Sequence, residues 1–408
     1  MKRWFSGDER TLGLFLAGGV LTMAFFRLDI LRGYLGVGTA PQALLLVVMT
    51  IAWWSLMSRS FVWFNPAELT WRDFGAIDRV ALVARRLTYG WIIRQLALGY
   101  LLALLAALLA VPALWVLACA AVLTGAGVLA FGVVRRSPVR TEAAVVLAVA
   151  LFAVVVSPGP VGLFMLAGGL AGSGLLLGRA PQQKATRQAL VDGWRDRVLR
   201  VSGVQFLDLA LLLPAARPVR PGPLTNGPRL AWHGVRGRAR HVPTAVLLGL
   251  AAVAAHRTFP ALPETILVAV FGYLALVPLT AGLGELWRSP GRRRWVGLTD
   301  TALRWHHFLV ATALAAAWAL PVSGWDLNVL VTVPVLSACA VRTMTRKAPT
   351  YDNLVPVDTP MGAVPVRLIM QTLRGPDAGV LAVALMFGTP PWGTALVVAA
   401  VVALALFR

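Results

Sequence analysis

The sequence predicts an all-α polytopic membrane protein of about twelve transmembrane helices, arranged as two six-helix pseudo-repeats. Three observations carry this. The 408 residues are 58% hydrophobic and only 13% charged, against about 25% charged in soluble domains. Apolar runs of bilayer-crossing length, about 15 to 20 residues, recur from end to end. The net charge of +21 is sorted by side: with both termini in the cytoplasm, all of the 38 Lys and Arg except Arg27, Arg32, Arg94 and Arg257 fall on the cytoplasmic face. That is the positive-inside rule, so the basic balance is topological and speaks against a nucleic-acid partner. The bilayer and its anionic headgroups are the expected surroundings.

The first six helices are expected at 11–27, 40–57, 90–110, 112–133, 142–156 and 160–178. The run after MKRWFSGDER lacks a small-residue cleavage site and reads as a retained helix. Six more are expected at 243–256, 262–283, 305–321, 326–342, 376–389 and 391–407. The halves, 1–178 and 243–408, match in layout. Each has a cytoplasmic loop after its second helix (58–89; 284–304). Each has a tight outer turn between its third and fourth ("AVPAL"; "LPVSGWD") and a Pro/Gly break before its sixth ("SPGPVG" at 157–162; "GTPPWG" at 388–393). An even number of spans per half makes these parallel repeats about an axis along the membrane normal.

Residues 179–242 form a cytoplasmic basic linker with twelve basic residues against three acidic ones. Its first part, 187–201, has helical periodicity, with Leu190, Trp194, Leu199 and Val201 on one side, and reads as an interfacial amphipathic helix. The Pro/Gly-rich stretch 213–230 reads as plain connection. Cys119 and Cys339 fall inside separate spans as small packing residues.

The loop after the second span carries helix signals of its own. In "NPAEL" Asn65 is placed to cap, Pro66 suits the first helical position, and Glu68 suits a capping box. A short helix over 66–74 then meets Gly75, and Asp78 is placed to cap the next helix. In the second half Ser289-Pro290, Gly297 and Asp300 repeat the start, the break and the cap. Arg85 and Arg86 suit snorkelling at a helix entrance.

"FNPAELTWRDFGAIDRVALVARRL", "LWRSPGRRRWVGLTDTALRWHHFLV", "VQFLDLALLLPAAR" and "VDTPMGAVPVRLIMQTLRGPD" together resemble the permease subunits of ABC-2-type (type V) exporters. The resemblance is to large permease-like membrane proteins of high-GC Gram-positive bacteria. It implies a membrane subunit of an ATP-driven exporter in the bacterial cytoplasmic membrane, moving an amphipathic or hydrophobic cargo such as a peptide, lipid or drug. It implies that residues 66–74 and 290–296 are coupling helices that dock on a soluble ABC ATPase dimer. Glu68, Arg72, Asp73, Asp78, Arg79, Arg293, Arg294 and Asp300 are then the coupling residues. The chain departs from the pattern in carrying two six-helix halves on one polypeptide.

The sequence has no G-x-x-x-x-G-K-[ST], so ATP and Mg would act through the partner subunit and no cofactor is expected on this chain. Asp29, Glu142, Glu264, Glu285 and Asp326 all fall near helix ends, which disfavours a proton-driven secondary transporter. The enzyme alternative, acting on a peptide or lipid, rests on His306 and His307. No H-E-x-x-H or G-x-S-x-G accompanies them, and adjacent residues point to different faces of a helix.

Overall fold

The computed structural model describes residues 19, 22–23, 26–38, 41–57, 63–74, 79–134, 142–156, 159–178, 186–205, 213, 216–217, 227–347, 357–359, 362–364, 370–371, 373–386 and 389–407. Most of the expected first span, and Gly75, Asp78, Ser157 and Pro158, lie outside them. In chain order the helices are α1 (Leu28–Leu35), α2 (Pro41–Leu56), α3 (Pro66–Phe74), α4 (Arg79–Leu108), α5 (Ala113–Val134), α6 (Glu142–Val156) and α7 (Pro160–Gly178). Then come α8 (Arg187–Gln205), α9 (Gly227–Arg236), a 3-10 turn (Ala239–His241), α10 (Val242–Thr258), α11 (Glu264–Arg288), α12 (Pro290–Trp295) and α13 (Asp300–Ser323). α14 (Leu327–Leu330), α15 (Thr332–Met344), a small antiparallel hairpin of β1 (Val357–Thr359) and β2 (Gly362–Val364), α16 (Pro376–Met386) and α17 (Pro391–Phe407) complete the chain.

Five of these segments are long and apolar enough to cross a membrane: Thr88–Leu108, Ala113–Val133, Pro160–Leu177, Glu264–Arg288 and Asp300–Ser323. In Thr88–Leu108 the apolar window is only 11% buried. Water would not tolerate such a face, and lipid does. The chain is an α-helical membrane protein. The expected layout of twelve spans in two six-helix pseudo-repeats is not what the described residues display. α2, α6, α15, α16 and α17 are apolar but only 11 to 17 residues long. At 1.5 Å per residue the shortest fall well below the roughly 30 Å hydrocarbon core. The expected span at 326–342 is also interrupted at Val331, between α14 and α15.

The chain divides into two compact units, residues 1–58, 85–183 and 254–262 in one, and residues 59–84, 184–253 and 263–408 in the other. In the first, α5 and α7 cross at glycine. A Cβ on Gly125 would lie 2.5 Å from the Ala167 carbonyl oxygen, and one on Gly174 would lie 2.6 Å from the Leu129 amide nitrogen. Small residues let membrane helices approach this closely where no hydrophobic force drives them together. Trp91 Nε1 donates to the Gly127 carbonyl at 3.0 Å and Gln95 Nε2 to Leu123 at 3.1 Å, tying α4 to α5. Just past the end of α4 Ala110 is held at a φ of +50°, and Arg32 donates to the carbonyls of Ala107 and Leu108 there. A cation thus satisfies the orphan acceptors of the helix end.

The second unit is built on α11, α13 and α15. Ala311, Ala315 and Ala319 recur every fourth residue and put a narrow face of α13 against Val268, Leu276, Val333 and Leu336. α17 closes one end through Ala405 and Leu406, with Leu283, Phe308 and Val341. The stretch expected to be plain connection ends in helix α9. Gly234 meets Gly282 so closely that a Cβ on Gly282 would lie 3.0 Å from the Gly234 Cα. Arg238, 1% exposed, donates to the Gly234 carbonyl at 3.0 Å and pairs with Glu285. These contacts fold α9 onto α11.

Candidate functional site

The two short loop helices give the site its local structure. Asn65 caps α3, its Oδ1 accepting from the Ala67 amide at 3.0 Å. Pro66 opens the helix where no N–H is needed, and Thr70 Oγ1 donates back to the Pro66 carbonyl at 2.9 Å. Glu68 engages Arg72 at 2.7 Å, an i,i+4 pair that stiffens the helix by a few tenths of a kcal/mol.

α3 is fastened to α8. Leu69, Phe64 and Leu190 form a buried cluster, each large apolar side chain contributing about 1.5–3 kcal/mol. The Phe64 amide donates to the Leu190 carbonyl at 3.1 Å. Trp63 lies 5.1 Å from Trp194 with Arg197 over its ring at 4.4 Å. Arg187 donates to Thr70 Oγ1 at 2.8 Å and reaches Asp73 at 4.0 Å. The apolar stripe of α8 is therefore divided: Leu190 and Trp194 serve α3, while Leu199 and Val201 stay exposed.

In the second half Pro290 again opens the short helix, α12, and Gly297, with φ +70°, ends it. The cap of α13 differs from the expectation. Thr299 is the N-cap, its Oγ1 accepting from the Ala302 amide at 3.2 Å. Asp300 is the first helical residue and pairs with Arg293 at 3.3 Å. Arg293 and Arg304 both stack on Trp287, at 4.5 and 4.6 Å. In α3 the corresponding stack is Arg72 over Phe64 at 5.4 Å.

The predicted coupling charges are thus largely used within the fold. Glu68 pairs with Arg72, Asp73 with Arg187, and Arg293 with Asp300. Arg294 stands exposed on α12. Arg79 begins α4, its side chain outside the described residues like Asp78. The groups offered outward are aromatic: Trp71 is 77% exposed, Phe74 82% and Trp295 92%. Sequence reasoning weighed the charges and passed over these rings, although isolated aromatics in short polar helices are a signal it could have used.

His307 is buried, its Nδ1 within 2.8 Å of the Leu303 carbonyl of its own helix. It lines a cavity of about 10 Å³ with Ala231, Gly234 and Thr280, at the lower edge of what holds one water. His306 packs on the start of α9, where a Cβ on Gly227 would fall 2.0 Å from its ring. The two imidazoles meet different neighbours and do not converge on one site. Among the described residues no three His, Cys, Asp or Glu side chains gather in a metal-binding cluster.

Beyond α9 the 3-10 turn places His241 among cations. Burial, then Arg240, Arg238 and Arg217, push its pKa down to about 4. Arg240 Nε donates to His241 Nε2 at 3.2 Å, so protonating that nitrogen would set two donors against each other.

No family model, curated protein or solved structure matches this chain.

Proposed function

We propose that the chain is the membrane subunit of an ATP-driven exporter, powered by a separate soluble ATPase that binds ATP and Mg. The observation that carries this reading is the pair of short helices, α3 and α12. Each follows an apolar helix and precedes one of the longest membrane-crossing helices, α4 and α13. Each is braced by an arginine–aromatic stack and an Arg–Asp pair, and each turns bare aromatic rings outward. A stiff helix with an apolar tip beside a transmembrane helix suits the reception of force from a motor domain.

A two-fold relation between the halves, with short apolar helices among the spans, is part of the same reading. Within each unit the helices assigned to second, fourth, fifth and sixth place share neighbours: α2 with α5 and α6, and α5 with α7. Their counterparts are α11 with α15 and α16, and α15 with α17. The cargo class is amphipathic or hydrophobic, such as a peptide, lipid or drug. The setting is the bacterial cytoplasmic membrane with both termini inside.

The test is co-purification of the full-length chain with an ATPase encoded beside it. Trp71→Ala with Phe74→Ala, and separately Trp295→Ala, should leave the melting of the isolated chain unchanged because these rings are exposed. Each set should weaken ATPase retention by roughly thirtyfold, about 2 kcal/mol for an aromatic hot spot. Finding no ATPase partner, or full retention by both variants, sinks the proposal.

A further inference from the structure

The second unit holds a cavity of about 420 Å³ between the end of α15 and the start of α16, lined by Arg342, Met370, Arg374, Asp377 and Leu404. It is an open cleft rather than an enclosed chamber, so an occupant would reach into it from outside. Its charges do not balance. Asp377 Oδ1 accepts from the amides of Gly375 and Ala378, both at 2.7 Å, and its Oδ2 accepts from Arg342 Nη2 at 3.0 Å. The carboxylate is therefore already engaged. Arg342 Nε remains buried without a hydrogen-bond partner, and Arg374 makes no ion pair among the described residues. Two guanidiniums thus line the cleft beside one carboxylate that is already engaged.

The position of Arg374 is set by its neighbour. Gly375 adopts φ +123°, and a Cβ there would lie 2.0 Å from Thr343 Oγ1, so this turn is pressed onto α15. The first turn of α16 adds its positive dipole end. Met370 and Leu404 supply apolar wall beside the arginines. A planar guanidinium fork matches phosphate oxygens, and the apolar wall matches alkyl chain.

We infer that this cavity binds the phosphate of an anionic phospholipid headgroup, with Arg342 and Arg374 on the phosphate oxygens and Met370 and Leu404 against the glycerol and upper acyl chain. The inference stands apart from the exporter reading, since it needs no ATPase. It is tested on the full-length protein in detergent by native mass spectrometry, with phosphatidylglycerol and phosphatidylcholine titrated separately. The wild type should prefer phosphatidylglycerol by about tenfold, because phosphatidylcholine offers the same phosphate but brings a choline cation toward a net positive cleft. Arg374→Gln, at an exposed position that the fold does not require, should erase the preference. Arg236→Gln, exposed on α9 away from the cavity, should keep it. Inorganic phosphate at millimolar concentration should not displace the lipid. Equal binding of the two lipids by the wild type, or an undiminished preference in Arg374→Gln, overturns the inference. Displacement by inorganic phosphate alone reassigns the cavity to free phosphate and overturns it equally.

Discussion

Arg238 and Glu285 form the contact whose removal should be most informative about how α9 is held. Arg238 is 1% exposed, whereas the Glu285 side chain is 48% exposed. Removing one partner of a buried ion pair typically costs about 3–5 kcal/mol, because the remaining charge is stranded. Water reaches half of the glutamate, so the penalty for Glu285→Ala is scaled to roughly 2 kcal/mol. The orphaned guanidinium keeps its bond to the Gly234 carbonyl, but its Nε already lacks a partner. The expected consequence is more frequent opening of α9. An Ala231→Cys reporter reads this, since Ala231 is 2% exposed and the native Cys119 and Cys339 are buried. In the Glu285→Ala background, maleimide labelling at 231 should speed up by about thirtyfold. Adding Arg238→Met removes the stranded charge and should recover most of the protection. Unchanged labelling in Glu285→Ala, or a double variant that labels as fast as the single, would refute the reasoning.

Two further outcomes follow from the same kind of reading. The pKa of His241, pushed down to about 4, makes the unfolded chain take up a proton first as pH falls below about 6.5. Stability from this group is complete above that value and declines toward pH 4; Arg240→Gln should make the decline in the unfolding midpoint shallower, and an identical pH profile would contradict the cation cluster. At the α5–α7 crossing, Gly125→Ala and Gly174→Ala would set a methyl carbon nearly 1 Å inside ordinary 3.4 Å contact and should each cost about 1–3 kcal/mol in mixed-micelle unfolding. Gly168→Ala and Gly172→Ala, which meet nothing within 4 Å, should be harmless, and equal effects at all four sites would mean the helices cross elsewhere.

The elements legible in the sequence are those whose signal is a continuous apolar run between breakers. The runs 142–156 and 160–178 return as α6 and α7 with the same bounds, because Pro and Gly leave the chain little choice between them. Helix α9 was illegible for the opposite reason. "GPRLAWHGVR" is polar and glycine-rich, and hydropathy scores it as loop. Its packing depends on a Gly234–Gly282 approach and a buried arginine, which are long-range facts. The spacing of Ala231, Gly234 and Val235 was the available clue, small or apolar residues at i, i+3 and i+4. The cap of α13 turned on a single position. In "LTDT" Thr299 and Asp300 can both cap, and Arg293 draws Asp300 into an ion pair while Thr299 takes the extended backbone, with φ −66° and ψ 155°.

The loop helices show how local chemistry redirects a functional reading. Charge was the feature that singled them out, and charge implies a docking surface weakened by salt, since exposed pairs are screened beyond about 8 Å at physiological ionic strength. In the folded unit most of those charges answer one another: Glu68 with Arg72, Asp73 with Arg187, Arg293 with Asp300. Such pairs hold the helices in shape and leave little net field to attract a partner. Trp71, Phe74 and Trp295 remain as outward groups, and aromatic anchors draw their strength from desolvation, which moderate salt leaves intact. Association with the proposed ATPase partner should therefore change little between 50 and 500 mM salt, while the aromatic variants lose it. Complex formation that collapses with salt and survives loss of the rings would return the docking role to the arginines, with Arg294 the first to test.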